Sequence, residues 1–217
     1  MEIKACIFDL DGVIVDTAKY HFIAWRELAH ELGFNFTEKD NERLKGVSRM
    51  RSLDILLEVG GKSFDEQTKL KLAAKKNDIY VSYIQKMTPS EILPGVREFI
   101  DDLRANHVRT ALGSASKNAG TVLDRLNISS FFDAIIDGNK VQHAKPNPEI
   151  FLLGAKELGI SPENCVVFED AEVGIEAALA GGMGAIGVGS PEILGKANGV
   201  IPGFALFSFQ KLKAIFN

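Results

Sequence analysis

Two aspartates near the start of the chain are placed as catalytic groups would be. Asp9 and Asp11 follow the apolar run 3–8 and flank Leu10, and Gly12 comes next. A short, largely β-branched run that stops at acids and a glycine is typical of a strand buried on both faces and followed by a loop. Ligands of open α/β sheets bind at the carboxyl ends of the strands. We therefore expect both aspartates at a ligand site.

These two carboxylates repel each other, so the site needs a cation or one bound proton. A hard, oxygen-ligated ion such as Mg²⁺ would bind one carboxylate and a substrate phosphate together. One aspartate could then act as a nucleophile while the other moves a proton. An acidic turn after a strand, without chemistry, is the alternative for an isolated pair of this kind.

Groups that bind anions occur later in the chain. The segment 113–118 follows a predicted strand at 108–112 and precedes a predicted helix that ends at Leu126, so its hydroxyls and amides form an anion site. A serine-capped helix would give the same pattern. Lys145 is followed by two prolines, at 146 and 148, which stiffen the approach to a predicted helix at 149–158. A fixed ammonium beside a phosphoryl group would offset charge in the transition state.

A second acidic pair, Glu169 and Asp170, ends a predicted strand at 165–168. Either pair alone could lie on the surface. Two pairs at the carboxyl ends of neighbouring strands would bring four carboxylates together, which predicts a metal site.

The order of elements predicts an α/β protein with an inserted helical domain. Residues 34–88 show helical patterns and no strand, and a helix follows Thr17. We expect a core domain of residues 1–16 and 89–217 and a helical cap of residues 17–88. The remaining core elements are predicted as strands at 132–136, 184–188 and 200–201, and as helices from 93 to 106, at 171–180 and at 209–216.

Within the cap, His21 begins an apolar stripe and lies four residues after Thr17, so the two could orient or gate an acid/base aspartate. A satisfied structural histidine is the alternative. The turn 44–49 brings together two cations, a hydroxyl and a glycine, which could bind a phosphate. The residues concerned are Lys45, Gly46, Ser48 and Arg49. A solvated basic turn is the alternative.

Composition narrows the class of protein. The chain has 217 residues, 46% hydrophobic, and a net charge of −4. The apolar fraction suffices for a sizeable core, and the charge argues against binding of duplex nucleic acid. No apolar run is long enough to span a membrane and no signal peptide is visible, so we expect a cytoplasmic protein without membrane or nucleic-acid partners.

The four motifs together resemble those of the haloacid dehalogenase superfamily along the whole chain. They are centred on Asp9 with Asp11, Ser114, Lys145, and Glu169 with Asp170. Further residues resemble the β-phosphoglucomutase family of that superfamily: Thr17, His21, Trp25, Leu44, Lys45, Gly46, Val47, Ser48, Arg49, Ser52, Lys76, Asn77, Ala115, Ser116, Lys117 and Asn118. The resemblance implies a Rossmann-like parallel sheet with an inserted all-helical cap. We expect the protein to act as a monomer.

The resemblance also implies roles. Asp9 would be the nucleophile that forms an aspartyl phosphate, and Asp11 the general acid/base. Mg²⁺ would lie between Asp9, the Asp11 backbone carbonyl, Glu169 and Asp170, and Ser114, Ala115 and Lys145 would hold the transferring phosphate. A second phosphate site would combine Arg49 with Ser116, Lys117 and Asn118, and cap closure would exclude water from the intermediate.

The expected reaction is interconversion of β-glucose 1-phosphate and glucose 6-phosphate through a bisphosphate, with hexose phosphates as ligands. A sugar-phosphate phosphatase and a non-enzymatic phospho-sugar sensor are the alternatives. Two positions depart from the family pattern. Ala171 replaces an expected serine and Gly113 a usual alanine, which could alter rates or metal affinity.

Overall fold

The chain folds as two compact units. The structure is a computed structural model that describes residues 1–44 and 47–217. The core unit comprises Met1–Asp16 and Thr88–Asn217, and the helical unit comprises Thr17–Met87. Thr88, expected at the end of the cap, falls in the core unit.

The core unit is built on a six-stranded parallel sheet, as the α/β prediction requires. Its order is β3-β2-β1-β4-β5-β6. The strands are β1 (Ala5–Phe8), β2 (Arg109–Gly113), β3 (Ala134–Ile136), β4 (Cys165–Glu169), β5 (Gly184–Val188) and β6 (Gly199–Ile201). The strands that carry the two acidic pairs, β1 and β4, are direct neighbours, with Phe8 opposite Phe168. The expected adjacency is therefore confirmed.

Both faces of the central strands are buried because helices cover the sheet on each side. Ile7 and Val167 belong to one apolar cluster, which includes Phe151. On the other face Phe8 stacks on Phe168, with ring centroids 4.9 Å apart. Close packing on two sides fixes the carboxyl ends of β1 and β4, where the acids follow.

The helices of the core unit are α5 (Val96–Ala105), α6 (Ala119–Leu126), α7 (Glu149–Leu158), α8 (Glu172–Ala180), α9 (Pro191–Leu194) and α10 (Phe209–Phe216). α7 and α10 have the predicted bounds. α9 is absent from the sequence prediction because four residues are too short to show a helical period. β3 is shorter than predicted, since Phe132 and Asp133 precede it. The Asp133 side chain accepts a hydrogen bond from the Thr110 amide at 2.9 Å.

The helical unit contains α1 (Ala18–Glu31), α2 (Glu38–Asn41), α3 (Arg49–Val59) and α4 (Glu66–Ile84), and its described residues form no strand. Leu28, Phe36, Leu53 and Leu56 are buried in its core. The apolar stripe predicted on α1 packs into this core, where it contributes Leu28. Across the described parts of both units, no helix has the length and hydropathy needed to cross a membrane.

Candidate active site

Three of the predicted motifs meet at the carboxyl edge of the sheet. Asp9 directly follows β1 and donates its amide hydrogen to the Phe168 carbonyl at 3.0 Å. Glu169 is the last residue of β4, and Ser114 follows β2, where its amide donates to the Ile136 carbonyl at 3.0 Å. Because β2, β1 and β4 are adjacent and parallel, the side chains that end them share one edge.

Lys145 joins the first and last motifs. Its ammonium Nζ lies 2.6 Å from Asp9 Oδ1 and 2.6 Å from Glu169 Oε1. The three side chains are only 7%, 9% and 2% exposed, respectively. The ammonium also lies over the Phe151 ring, 4.6 Å from its centroid. The lysine predicted to contact a phosphoryl group is thus held beside the predicted nucleophile.

The other oxygens of these two carboxylates are bound by backbone amides. The Asp11 amide donates to Asp9 Oδ2 at 2.9 Å, and the Ala171 amide donates to Glu169 Oε2 at 2.8 Å. In each carboxylate, therefore, one oxygen contacts the Lys145 ammonium and the other accepts a hydrogen bond from a backbone amide in the turn that follows the strand. This pairing satisfies both buried groups and fixes their orientation.

The remaining acids, Asp11 and Asp170, crowd further carboxyl groups around this ion pair, which favours their protonated forms. Burial and repulsion from Asp9 raise the pKa of Asp11 to about 8. Asp170 is exposed as a whole residue, but its carboxyl lies against Gly12. Reduced hydration and repulsion from Asp9 and Glu169 raise the pKa of Asp170 as well. Burial lowers the pKa of Lys145, but the Asp9 and Glu169 charges outweigh it and raise that pKa above its usual value.

This donor set fits a hard divalent cation. The side chains offer carboxylate oxygens, which Mg²⁺ and similar ions prefer, and one ammonium does not balance them. Within residues 1–44 and 47–217, no three His, Cys, Asp or Glu side chains already converge as a metal centre. Asp9 and Glu169 each direct one oxygen to the Lys145 ammonium. Asp9, Asp11, Glu169 and Asp170 are the residues that could hold the ion.

The predicted phosphate loop forms a tight turn before α6. Ser114 is fully buried and its Oγ accepts a hydrogen bond from the Ser116 amide at 3.2 Å. Ser116 Oγ in turn accepts from the Asn118 amide at 3.2 Å. Ala115 and Lys117 are exposed. The loop therefore presents a hydroxyl-lined turn at the same edge as Asp9, with the Lys117 side chain open to solvent.

In the helical unit, three predicted site residues lie together. Lys76 is 2% exposed; its Nζ lies 2.7 Å from His21 Nδ1 and 4.6 Å from the centroid of the Trp25 ring. Burial, together with the charges of Lys76 and Arg49, lowers the pKa of His21 well below its usual value. The imidazole is therefore neutral, and Nδ1 accepts a hydrogen bond from the Lys76 ammonium.

The other described residues predicted in this unit lie near the starts of α1 and α3, except Asn77, which lies in α4. Arg49 Nη2 donates to Asn77 Oδ1 at 2.7 Å. Ser48 caps α3, with its side chain accepting from the Arg51 amide. Thr17 and Ser52 are buried, and Val47 is exposed. Lys45 and Gly46 lie outside the described residues. The proposed contacts of all these groups with a sugar phosphate stay predictions.

Two glycines are required by the site and were not predicted as functional. A Cβ on Gly174 would lie 1.9 Å from Glu169 Oε1, and one on Gly12 would lie 2.1 Å from Asp170 Oδ2. Gly12 also has a φ of +77°. A glycine inside a helical pattern often marks close packing, so the position of Gly174 within α8 was the available signal.

Comparison with known proteins finds one matching family and several similar proteins. Residues 3–182 match the model of the haloacid dehalogenase-like hydrolase family. The chain is 44% identical to a β-phosphoglucomutase of Bacillus subtilis over 86% of this chain and 83% of that protein. It is 34% identical to a phosphorylated carbohydrates phosphatase of Thermotoga maritima, over 83% and 82% of the two chains. The solved β-phosphoglucomutase of Clostridium difficile is 48% identical, with a TM-score of 0.92 over 99% of this chain and 97% of that one.

Proposed function

The chain belongs to the haloacid dehalogenase-like hydrolase family, and we propose that it is a phosphosugar mutase that interconverts β-D-glucose 1-phosphate and D-glucose 6-phosphate. The observation that carries the chemistry is the bridge from Lys145 to both Asp9 and Glu169. It places a cation and a nucleophilic carboxylate side by side in a buried site. Two relatives named β-phosphoglucomutase, 44% and 48% identical, support a mutase.

Asp9 would attack one phosphorus of a bound hexose bisphosphate, which breaks the P–O bond to the sugar and gives an aspartyl phosphate and a hexose monophosphate. Its carboxylate is held by the Asp11 amide, so its orientation toward the substrate is set before binding. Lys145 and Ser114 would bind oxygens of the transferring group as charge develops on it. Asp11 would give a proton to the leaving sugar oxygen. It would take a proton from the hydroxyl of a hexose monophosphate as that hydroxyl attacks the aspartyl phosphate and releases the Asp9 carboxylate.

Mg²⁺ is the divalent cation that we propose for the site, held by Asp9, the Asp11 carbonyl, Glu169 and Asp170. When bound, it would screen the carboxylates from the incoming phosphate. The protein's own contribution is the oxygen-only donor set at the ends of β1 and β4.

A mutase needs a second phosphate position, so that a bisphosphate can present either end to Asp9. In the core unit, Ser116, Lys117 and Asn118 would provide it. The exposed ammonium of Lys117 suits a phosphate that is held but not transferred. The part that Arg49 would play in this second site stays a prediction.

The test is to incubate the purified protein with β-glucose 1-phosphate, Mg²⁺ and a trace of the bisphosphate, and to follow glucose 6-phosphate and free phosphate separately. Glucose 6-phosphate without matching free phosphate supports the mutase. Stoichiometric free phosphate would replace the proposal with a phosphatase, the activity named for the Thermotoga maritima relative. Binding with neither product would indicate a sensor.

Asp11→Asn provides the residue-level test. The change keeps the shape of the side chain but removes its ability to carry a proton between oxygens. We expect turnover to fall by about 100-fold or more, the scale of general acid/base catalysis. The control is Asp101→Asn, which removes one exposed carboxylate of α5 in the same unit. Activity of Asp11→Asn equal to that control would remove Asp11 from the proposed role.

A further inference from the structure

Lys145 is carried by a turn that has little regular structure of its own. Residues 144–147 form this turn, closed by a hydrogen bond of 3.0 Å from the Asn147 amide to the Ala144 carbonyl. A lysine side chain has four rotatable bonds, so the position of its ammonium depends on where the turn lies. The buried ends of β1 and β4 fix Asp9 and Glu169, but they do not fix this turn.

Glu149, at the start of α7, binds the residues on both sides of the turn. Its Oε1 accepts a hydrogen bond from the Gln142 amide at 3.1 Å. Its Oε2 accepts from the His143 amide at 2.8 Å and lies 2.9 Å from His143 Nδ1. On the other side, the Glu149 amide donates to Asn147 Oδ1 at 3.0 Å. One residue thus ties the chain before and after Lys145 to a rigid helix.

We propose that Glu149 is a positioning residue for Lys145: its carboxylate anchors residues 142–143 to α7 and thereby holds the ammonium between Asp9 and Glu169. This inference rests on the proposed function for the role of Lys145 in phosphoryl transfer. The carboxylate accepts two backbone amides, and bonds of this charge-assisted kind are roughly twice as strong as neutral ones. Glu149 itself touches none of the reacting groups.

The charge state of Glu149 agrees with this role. Hydrogen bonds from the Gln142 and His143 amides hold the pKa of Glu149 below its usual value. The group is therefore ionised throughout the neutral range, and the anchor does not depend on the protonation of His143. The two backbone amides are the main contacts, and the imidazole adds a third.

The central test compares Glu149→Gln with Asp133→Asn. Asp133 is a matched control in the same unit, since its Oδ2 also accepts one backbone amide, that of Thr110 at 2.9 Å, and one basic side chain, Arg109 at 3.0 Å. Both variants exchange a carboxylate for an amide whose NH₂ group cannot accept these bonds. Only Glu149→Gln alters the anchor of the Lys145 turn.

The first measurement is made on the free protein, without metal or substrate. Lysine labelled with ¹³C at Cε gives one NMR signal for each lysine, and Lys145→Ala identifies the signal of Lys145. We expect this signal to move toward those of the exposed lysines in Glu149→Gln and to stay in place in Asp133→Asn. An unchanged Lys145 signal in Glu149→Gln would overturn the proposal, whatever the activity.

The second measurement separates kcat from KM for β-glucose 1-phosphate. Misplacing a catalytic group by about 1 Å costs roughly 100-fold in rate, so we expect kcat of Glu149→Gln to fall by about 10- to 100-fold. KM should change less, by about threefold at most, because the phosphate loop at 113–118 is unaltered. Equal losses of kcat in Glu149→Gln and Asp133→Asn would contradict a positioning role.

Two further variants keep the test decisive if Glu149→Gln does not fold. Glu149→Asp retains the carboxylate and should restore most of kcat and of the Lys145 signal. His143→Ala removes only the imidazole contact and should cost less than Glu149→Gln; a larger loss would shift the anchor to His143 and refute the role of Glu149. If the wild type releases only free phosphate, the proposed function fails, yet the Lys145 signal still decides this inference.

Discussion

Gly174→Ala should displace the Glu169 carboxylate, although alanine has the higher helix propensity at this position of α8. Gly174 lies inside α8, where alanine is favoured over glycine by about 1 kcal/mol. A Cβ at this position would nevertheless lie 1.9 Å from Glu169 Oε1 and 2.0 Å from Glu169 Cδ. The carboxylate would have to move by about 1.5 Å to reach ordinary contact distance.

Such a movement breaks two contacts at once. Glu169 loses its 2.6 Å contact with the Lys145 ammonium and its 2.8 Å hydrogen bond from the Ala171 amide. Breaking a buried ion pair costs about 3–5 kcal/mol. After the gain in helix propensity, we expect a net loss of roughly 2–4 kcal/mol in the free energy of unfolding. For a chain of this length that is a drop in Tm of roughly 4–16 °C.

Urea unfolding and the mutase assay measure the two effects. The control is Gly120→Ala in α6, where a Cβ would meet nothing within 4 Å. That variant should gain about 0.5–1 kcal/mol and keep its activity. Gly174→Ala should also lose about 100-fold in turnover, since it displaces a group beside Lys145 by more than 1 Å. A Gly174→Ala protein as stable and as active as the control would refute this reading of the site.

Three further predictions concern the departures from the family pattern and the metal. Ala171 is the N-cap of α8 and has no side-chain cap, so Ala171→Ser should raise the free energy of unfolding by about 1 kcal/mol in a urea titration. A Cβ on Gly113 would lie 2.9 Å from Phe151 Cδ1, so Gly113→Ala should lower that free energy by about 1–3 kcal/mol through overpacking; an unchanged Tm would contradict this. Mg²⁺ at 100 times its Kd should stabilise the protein by about 2.7 kcal/mol relative to protein in chelator. Asp170→Asn should lose most of that gain, and an equal gain in both proteins would place the ion elsewhere.

Local patterns in the sequence were sufficient to predict most of the helices and strands. The bounds of α7 and α10 follow from periodicity and from the prolines before α7, because a helix is decided largely by residues within four positions of one another. That the two acidic strands are neighbours was a hypothesis drawn from the acids that end both of them, and the order of the sheet confirms it. The sequence alone therefore determined an α/β core with an inserted helical unit and indicated which carboxylates belong to one edge.

Contacts between distant residues were decided by the tertiary structure alone. The bond from Lys145 to Asp9 joins residues 136 positions apart, and no local period encodes it. The need for glycine at 174 depends on where the Glu169 side chain lies, and the anchor at Glu149 depends on how the chain folds back before α7. The sequence specifies which groups can react, whereas packing of the sheet and its helices decides which of them touch, because close approach depends on topology and not on spacing along the chain.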